Sequence, residues 1–445
     1  MKLKWIKWFF VLVLGFLAVL FTVNYPKLDI ISGFAAKSMA SNVFIANRTP
    51  ESVIANDHDV PKIKLATVSV DHSQKSAQAN VYGIKNRTAI YRNGLGAVLV
   101  PEDFENELTL VPNRFQILDT LPYPYGNNGI KDSIFENIDY EILKNAMDLA
   151  FSKPEIQKTR TVLVLYKGHL IAEQYNDDFG PDTPILGWSM TKSVMATLYG
   201  ILEHQNILSV SDFAPIPEWQ NDERKNITLN HLLRMQSGLE WNEDYGSISD
   251  VTKMLFLDAD MSKTQQEKEA IASPAEIWNY SSGTSNVLSG ILRTQFNTHQ
   301  EYLDFPYAAL IDKIGMHSML LEADAVGNYV GSSYGWASTR DWAKFGQLYL
   351  NKGVWNGEQL FAPEWIDYVT KPTAKSDGEY GAHFWLNAAA DYPDVPKDLF
   401  SANGYQGQYV FIIPSKELVV VRTGLAETPD FDTNAFLKEV IMALK

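Results

Sequence analysis

A serine and a lysine stand three positions apart in the run Gly187-Trp-Ser-Met-Thr-Lys-Ser-Val-Met. Residues i and i+3 of a helix share one face, so the hydroxyl of Ser189 and the amine of Lys192 can meet if a helix begins here. A serine hydroxyl is a poor nucleophile at neutral pH and needs a neighbouring base. A lysine becomes such a base only where burial or adjacent positive charge lowers its pKa. The spacing indicates a serine nucleophile with a lysine base, although a helix cap followed by a solvated lysine produces the same pattern.

A tyrosine and a second serine follow later in the chain, in the run Trp278-Asn-Tyr-Ser-Ser-Gly-Thr-Ser-Asn. Tyr280 and Ser282 form a Tyr-x-Ser pattern in a polar loop that enters a predicted helix from Asn286 to Arg293. A lysine ammonium near a phenol favours the phenolate, which makes Tyr280 a plausible proton shuttle. Taken alone, the segment is more typical of an aromatic side chain that anchors a Ser/Gly turn.

Together these two patterns resemble those of the serine β-lactamase and penicillin-binding-protein superfamily. The similarity is greatest to its class C branch, which includes family VIII carboxylesterases and 6-aminohexanoate-dimer hydrolases. It extends over residues 136 to 445 and includes runs that start at His231, Gly335, Gly353 and Gly404. The resemblance implies an α/β (α+β) fold of the β-lactamase/transpeptidase type. In that fold an antiparallel sheet is flanked by helices and carries a helical subdomain, with the nucleophile helix at their junction.

The resemblance also implies a role for each of these residues. Ser189 would attack an ester or amide carbonyl, and Lys192, together with Tyr280, would accept its proton. The oxyanion would bind to the backbone N–H groups of Ser189 and Tyr405, which need no particular side chain. Tyr280 would then return a proton to the leaving group, and water would hydrolyse the acyl-enzyme. No cofactor and no metal are implied.

The third motif of this family is Lys/His-Thr-Gly, on the strand that forms the far wall of the site. The matching positions here are Ala402-Asn-Gly, followed by Tyr405, and an alternative register places the motif at Tyr405-Gln-Gly. In the first register the cation and the hydroxyl that would bind a β-lactam carboxylate are missing. This departure argues against an efficient β-lactamase and resembles the esterases and amide hydrolases. Ser282, Asn403 and Gly404 are expected to contact the substrate.

A further segment, Glu240-Trp-Asn-Glu-Asp-Tyr, resembles the aspartate–tyrosine loop of the 6-aminohexanoate-dimer hydrolases. In those enzymes a loop tyrosine hydrogen-bonds the substrate amide. The resemblance implies that Tyr245, with Asp244 beside it, binds the substrate in this way. An exposed acidic loop, on a chain already rich in carboxylates, is the alternative interpretation.

The beginning of the chain predicts where the reaction takes place. Lys2, Lys4 and Lys7 precede an uncharged apolar run from Trp8 to Val23. At about 1.5 Å per residue such a run spans roughly 24 Å as a helix, slightly less than a bilayer core. We expect residues 1–23 to form a single inner-membrane anchor with the catalytic domain in the periplasm, because the basic side stays in the cytoplasm. A cleaved signal segment, which would release a secreted or periplasmic protein, is the alternative.

Composition excludes several other classes of protein. The chain has no cysteine, which rules out thiol nucleophiles, disulfides and cysteine zinc sites. Its net charge of −15 argues against nucleic acid as a partner. The eight histidines form no His-Glu-x-x-His pair, so a metal hydrolase is not indicated. His383 is expected to be a strand residue near the pocket and not a base.

These observations divide the chain into an anchor or signal segment (1–23), an N-terminal extension and connector (24–135) and a serine hydrolase domain (136–445). The extension contains β-type runs, such as the one starting at Ala66, and no recognisable chemistry. We predict an exported hydrolase that cleaves small-molecule esters or linear amides. The alternatives are a β-lactamase or D-amino-acid peptidase acting on the cell wall, and a catalytically inactive cell-wall-binding protein. The sequence does not predict an oligomeric state.

Overall fold

The structure is a computed structural model that describes residues 2–100, 109–115, 120–131 and 133–445, without the side chains of residues 2–7, 10, 17–21 and 23. Its α-helices are α1 (Lys2–Phe44), α2 (Pro50–Ala55), α3 (Tyr140–Phe151), α4 (Pro154–Gln157), α5 (Met190–His204), α6 (Leu229–Leu233), α7 (Asp250–Phe256), α8 (Lys263–Gln266), α9 (Ser282–Arg293), α10 (His299–Pro306), α11 (Thr339–Leu350), α12 (Glu364–Thr370) and α13 (Thr433–Met442). Its strands are β1 (Ala66–Asp71), β2 (Ser76–Val81), β3 (Ile84–Arg92), β4 (Gly96–Val100), β5 (Thr159–Tyr166), β6 (His169–Tyr175), β7 (Ile185–Leu186), β8 (Leu320–Leu321), β9 (Gly335–Ala337), β10 (Val354–Trp355), β11 (Glu358–Gln359), β12 (Trp385–Leu386), β13 (Phe400–Gly404), β14 (Gln408–Ile413) and β15 (Leu418–Gly424).

The first of two compact units comprises the described residues of Met1–Tyr91, Ala97–Glu105 and Glu243–Ala259. Its strands form a sheet of order β1-β2-β3-β4, and the second half of α1 packs on that sheet. Ala36 and Ala40 of α1 are fully buried in the same core as Ala77 and Ala89 of the sheet. These side chains are small, so helix and sheet backbones approach closely. The predicted strand at Ala66 is confirmed as β1.

The first half of α1 contains the predicted membrane anchor over residues 1–23. Trp8, Phe9 and Leu12 are exposed there, while residue 1 and the side chains of the three lysines lie outside the described part of the chain. Among the residues that the structure describes, none of the helices is both long enough and apolar enough to cross a membrane. The predicted inner-membrane anchor therefore receives no support from the structure.

The second unit comprises the described residues of Arg92–Gly96, Asn106–Asn242 and Asp260–Lys445. Its main sheet has the order β12-β13-β14-β15-β5-β6, and every neighbouring pair is antiparallel. Strand β5 is buried along its whole length. Leu163 and Leu165 point into the core shared with α5 and α11, whereas Val162 and Val164 point into the core shared with α3 and α13. Helices cover both faces of the sheet, which explains why this interior strand carries apolar side chains on both sides. The predicted antiparallel sheet flanked by helices is confirmed.

The end of the predicted N-terminal extension and connector (24–135) is described only in part, since residues 101–108, 116–119 and 132 lie outside the described residues. The part around Arg114 packs within the second unit. Its guanidinium donates to Asp312 Oδ1 at 2.8 Å and lies 4.3 Å from the centre of the Tyr307 ring. An ion pair with a fully buried carboxylate ties this segment to the hydrolase fold.

A small sheet, β7-β9-β8, positions the candidate nucleophile, Ser189. Ile185 pairs with Ala337 and Leu186 with Trp336, so the chain leaves β7 directly into the start of α5. Helix α5 is buried from Met190 to Leu202 on all sides, between the main sheet and the helical part of this unit. A helix buried in this way holds its first turn rigidly, and that turn carries both candidate catalytic residues.

Candidate active site

The backbone around Ser189 is tightly constrained. Ser189 is the N-cap of α5 and remains partly exposed. Trp188, just before it, has a φ of 47°, a left-handed conformation that a bulky residue adopts only where its surroundings enforce it. The N–H of Gly187 donates to the carbonyl of Gly335 at 2.8 Å. A Cβ at position 187 would stand 2.4 Å from the Trp342 ring, so only glycine fits there. These constraints present the Ser189 hydroxyl at the start of a buried helix.

The amine of Lys192 lies at the centre of the site. Its Nζ is 3.0 Å from Ser189 Oγ, 2.9 Å from Ser282 Oγ and 3.0 Å from the carbonyl oxygen of Ser332. The side chain is 1% exposed. An ammonium would donate one proton to each of these acceptors. A neutral amine would keep two N–H groups for Ser282 and Ser332 and turn its lone pair toward Ser189, as a base must. The predicted meeting of serine and lysine on one helix face is observed.

A second layer of hydrogen bonds holds the acceptors of Lys192 in place. The N–H of Ser332 donates to Asn286 Oδ1 at 3.1 Å, which fixes the carbonyl that the lysine uses. Asn286 is fully buried and lies one helical turn after Ser282 on α9. Sequence reasoning missed both Asn286 and Ser332. The i, i+4 spacing of Ser282 and Asn286 could have indicated the first, because such residues share a helix face. Ser332 contacts the lysine through its backbone carbonyl, which every residue type has, so the sequence could not have indicated it.

Tyr280 lies beside the lysine through its ring. The centre of that ring is 4.9 Å from Lys192 Nζ. The ring also packs against Tyr380 at 5.8 Å and Trp385 at 5.4 Å between centroids. The structure thus brings Tyr280, Lys192, Ser282 and Ser189 together, in agreement with the two sequence patterns. Proton transfer through the Tyr280 hydroxyl stays a prediction.

His383 is a buried structural residue close to this cluster, in a bend before β12 and not on a strand. Its Nδ1 donates to the carbonyl of Leu233 at 2.6 Å, and its Nε2 faces Ser285 Oγ at 2.9 Å. Burial lowers the pKa of His383 to about 3, and the positive charge of Lys192 adds to that effect. The imidazole is therefore neutral at physiological pH, with its proton on Nδ1 and Nε2 accepting from Ser285.

The end of β13 lies against the backbone that precedes the nucleophile. A Cβ at Gly404 would stand 2.0 Å from the carbonyl oxygen of Gly187. Tyr405 follows in the turn to β14, and its ring packs edge-on against Trp188 at 5.7 Å. The structure thereby brings Gly404 and Tyr405 close to the start of α5. The positions 402–404 belong to β13, whereas 405–407 form the turn.

Asn403 does not share this location. Its neighbour Ala402 is fully buried in the core that contains α5. Asn403 pairs with Tyr409, which belongs to the core on the opposite face of the sheet. Its Oδ1 is buried and has no hydrogen-bond partner among the described residues. Side chains alternate between the faces of a strand, so Asn403 points away from α5.

The acidic loop is divided between the two units: residues 243–245 belong to the first, whereas residues 240–242 belong to the second, as do Ser189 and Lys192. The Tyr245 hydroxyl donates to Glu243 Oε1 at 2.9 Å. Asp244 accepts hydrogen bonds from the Ser247 hydroxyl at 2.6 Å and from the N–H of Gly246 at 2.8 Å, and these two bonds hold the pKa of its carboxyl below the usual value. Hydrogen bonds within residues 243–247 thus help to shape this part of the loop. In the described residues, no group of three or more His, Asp or Glu side chains is placed to hold a metal ion.

Comparison with known proteins agrees with this geometry. The model of the Beta-lactamase family matches residues 156–437, more than half of the chain. The chain belongs to this family. It is 22% identical to a 6-aminohexanoate-dimer hydrolase of Paenarthrobacter ureafaciens, over 62% of this chain and 74% of that protein. The predicted family is confirmed, and the chain is a serine hydrolase of the β-lactamase type.

Two solved structures illustrate the shared fold. A proposed 6-aminohexanoate-dimer hydrolase from Bacillus anthracis superposes with a TM-score of 0.57 at 21% identity, covering 66% of this chain and 80% of that one. A family VIII carboxylesterase superposes with a TM-score of 0.54 at 15% identity, covering 71% of this chain and 98% of that one. At such identities the likeness establishes the fold class, which was predicted from the sequence, and nothing finer.

Proposed function

We propose that this member of the Beta-lactamase family hydrolyses small esters or linear amides through an acyl-enzyme on Ser189. The observation that carries the proposal is the buried amine of Lys192, 3.0 Å from the Ser189 hydroxyl oxygen. A general base must lie within hydrogen-bond reach of the proton that it takes, and this amine does. Hydrogen bonds to Ser282 and to the Ser332 carbonyl keep it there.

In the proposed reaction the Ser189 oxygen bonds to the substrate carbonyl carbon while its proton passes to Lys192. The carbonyl oxygen gains the negative charge and accepts hydrogen bonds from the N–H groups of Ser189 and Tyr405. As the tetrahedral intermediate collapses, Lys192 delivers a proton through Tyr280 to the departing alcohol or amine. Water then attacks the acyl-enzyme and gives its proton to the same pair, which returns it to Ser189 as the acid leaves.

Three observations support an ester or linear amide as the substrate. Ala402 and Asn403 supply neither the cation nor the hydroxyl that would hold a β-lactam carboxylate. Asn403 also points to the sheet face opposite α5, as its pairing with Tyr409 indicates. The relatives reported above are named as a 6-aminohexanoate-dimer hydrolase and a family VIII carboxylesterase.

The experiment that tests the proposal compares the wild type with Ser189→Ala. The wild type should turn over p-nitrophenyl acetate and become labelled by a fluorophosphonate, and the variant should do neither. If Ser189→Ala kept a tenth of the wild-type kcat, the barrier would have risen by less than about 1.4 kcal/mol, and Ser189 could not be the covalent residue. A wild type that is neither labelled nor active on esters, amides, nitrocefin or D-Ala-D-Ala peptides would favour an inactive cell-wall-binding protein.

The acidic loop provides a narrower hypothesis about the amide substrate. We propose that the Tyr245 hydroxyl hydrogen-bonds the substrate amide. Tyr245→Phe should then lower the hydrolysis of the 6-aminohexanoate dimer about tenfold and leave p-nitrophenyl acetate hydrolysis unchanged, because only the amide offers the N–H partner. Equal effects on both substrates would contradict a contact with the amide.

We also propose that the catalytic unit is exported, because three lysines precede an uncharged apolar run at the start of the chain. Cleavage near Ala35 or Ala40 would divide the part of α1 that packs on the sheet of the first unit, since both residues are fully buried there. Fractionation with N-terminal sequencing tests this. We expect to recover the protein outside the cytoplasm. We also expect its first residue to precede Leu28. Recovery of the intact chain from the cytoplasm would contradict export.

A further inference from the structure

A buried arginine contacts the turn that carries Tyr405. Arg422 lies on β15 and is 0% exposed. One terminal nitrogen donates to the carbonyls of Gly407 at 2.8 Å, Ala426 at 2.6 Å and Gln406 at 3.4 Å. The other donates to the carbonyl of Gln157 at 2.6 Å and to a threonine hydroxyl. All of these acceptors are neutral oxygen atoms.

Burying a guanidinium without a carboxylate partner is unfavourable in free energy. A functional role for Arg422 would explain why it is nevertheless placed here. A buried charge loses its hydration and is normally paired with an opposite charge. Burial lowers the pKa of Arg422 to about 9, which still leaves it cationic at neutral pH. Hydrogen bonds from a cation to carbonyl oxygens are stronger than hydrogen bonds between two neutral groups, so Arg422 restrains the 405–407 turn.

Gln408 holds the same turn from the neighbouring strand. Its side-chain nitrogen donates to the carbonyl of Tyr405 at 3.0 Å and to that of Gly424 at 2.6 Å. Its side-chain oxygen accepts from the N–H of Gly424 at 3.1 Å. The residue is 1% exposed. Gln408 and Arg422 together occupy the carbonyl groups of all three residues of the turn, so its peptide planes have little freedom to rotate.

The turn also needs an unusual backbone, which these contacts enforce. Gln406 and Gly407 have φ values of 62° and 80°. Left-handed φ is unfavourable for Gln406 and easy for glycine. A Cβ at position 407 would lie 2.3 Å from the guanidinium of Arg422, so glycine is required for the arginine to reach the carbonyls.

The geometry of the peptide bond links this turn to the oxyanion site. The Gly404 carbonyl accepts from the N–H of Gly407 at 3.2 Å. A trans peptide is planar, with its C=O and N–H pointing in opposite directions. Holding the Gly404 carbonyl toward Gly407 therefore fixes the Tyr405 N–H on the other side. Gly404 itself lies against the Gly187 carbonyl, close to the nucleophile.

We propose that Arg422 and Gln408 are positioning residues that hold the Tyr405 N–H in the direction required to bind the oxyanion. The inference rests on the proposed function, in which that N–H is one of the two oxyanion donors. Neither side chain touches the substrate. Both act by fixing the 405–407 turn. If the turn rotated, the Tyr405 N–H would move away from the oxyanion, which it stabilises only when negative charge develops on the substrate oxygen.

The test compares Arg422→Lys and Gln408→Met with a matched control, Arg234→Lys. Arg234 is a buried arginine that donates to the carbonyls of Lys371 and Tyr368, away from the turn. With p-nitrophenyl acetate, we expect kcat to fall at least tenfold in the two turn variants, with KM within threefold of wild type. An oxyanion donor acts in the transition state and not on bound substrate. Arg234→Lys should lower the melting temperature and keep kcat within twofold.

A thionoester analogue of the same substrate separates positioning of the oxyanion donor from a general loss of stability. The quantity measured is the ratio of the turnover of the oxygen ester to that of the sulfur ester, which a loss of stability alone would not change. Sulfur accepts hydrogen bonds weakly, so the wild type should strongly prefer the oxygen ester, and the turn variants should lose most of that preference. Folded variants with wild-type kcat, or with an unchanged oxygen-to-sulfur ratio, would overturn the inference. If Arg422→Lys does not fold, the same two measurements on Gln408→Met test the inference. If the wild type itself shows no Ser189-dependent esterase activity, the proposed function fails instead, and the two failures are distinguishable.

Discussion

The Nζ atom of Lys192 lies 2.9 Å from the Oγ atom of Ser282, although 90 residues separate the two in sequence. Ser282 is the first residue of α9, and Lys192 lies in the first turn of α5. The contact joins the starts of two buried helices, so the position of the amine relative to Ser189 depends on both. Ser282 was expected to contact substrate, and its observed hydrogen bond to the lysine indicates a role in orienting the base.

We predict that Ser282→Ala lowers kcat for p-nitrophenyl acetate about tenfold or more, because a hydrogen bond to a charged or proton-accepting amine contributes roughly 1.5–3 kcal/mol. Ser289→Ala is the control. It lies on the same helix and removes a buried hydroxyl that bonds the Tyr329 carbonyl at 2.6 Å, far along α9 from the lysine. Stopped-flow acylation rates and thermal melts of both variants check the prediction. Similar losses of activity in both would show that Ser282 acts only through stability.

We predict that Gly404→Ala abolishes measurable esterase activity even where the protein still folds. The new Cβ would stand 2.0 Å from the Gly187 carbonyl oxygen, and a backbone atom cannot move aside cheaply. Either β13 or the start of α5 must shift, which separates Tyr405 from Ser189. Gly180→Ala is the control, because the nearest atom to its Cβ would be 3.9 Å away. Circular dichroism and ester turnover are measured together. A folded Gly404→Ala enzyme with wild-type turnover would contradict the proposed oxyanion site.

We predict that kcat/KM for p-nitrophenyl acetate exceeds that for nitrocefin by at least tenfold. A charge-assisted hydrogen bond to a substrate carboxylate contributes roughly 1.5–3 kcal/mol, or one to two decades in binding, and Ala402 and Asn403 cannot make one. Steady-state kinetics on the wild type checks this. A nitrocefin value above the ester value would show that the enzyme is a β-lactamase despite the altered third motif.

We predict that part of the acid sensitivity of the second unit comes from His383, whose pKa falls from 6.5 to about 3 on folding. A histidine buried in the neutral form stabilises the fold above its unfolded pKa. That contribution is lost as pH falls from 6.5 toward 3, by up to about 1.4 kcal/mol per pH unit. His383→Asn, which tolerates the left-handed φ of 59°, should be less stable than wild type at pH 7.5 and closer to it at pH 5. Urea denaturation at both pH values measures the difference, and a constant gap would contradict the prediction.

Local spacing in the sequence was sufficient to place the proposed nucleophile beside the proposed base. The i, i+3 geometry of a helix brings Ser189 and Lys192 together wherever that helix forms, and α5 begins as the pattern requires. The hairpin of β5 and β6 is likewise formed by neighbouring residues, with left-handed φ at Lys167 and Gly168 in its turn. These features depend on residues that are close in sequence, and the helix and turn geometries are few.

The anchor prediction shows the limit of composition. An apolar run after basic residues is compatible with a membrane span, a signal segment or a helix that packs on protein. In the structure, α1 continues as a single helix from Lys2 to Phe44, and its second half is buried in the core of the first unit. That buried half lies beyond the apolar run, in which Trp8, Phe9 and Leu12 are exposed. Hydropathy alone therefore does not predict which part of such a helix packs on protein.

The sequence by itself determined the family, the meeting of Ser189 with Lys192, and a third motif without its cation. Tertiary structure decided that Ser282 and the Ser332 carbonyl orient the lysine, that Asn403 faces away from α5, and that Arg422 grips the turn after β13. Each of these contacts joins residues distant in the chain. Their positions follow from how strands register and helices pack, where steric fit and burial select one arrangement among many that the same residue types would permit.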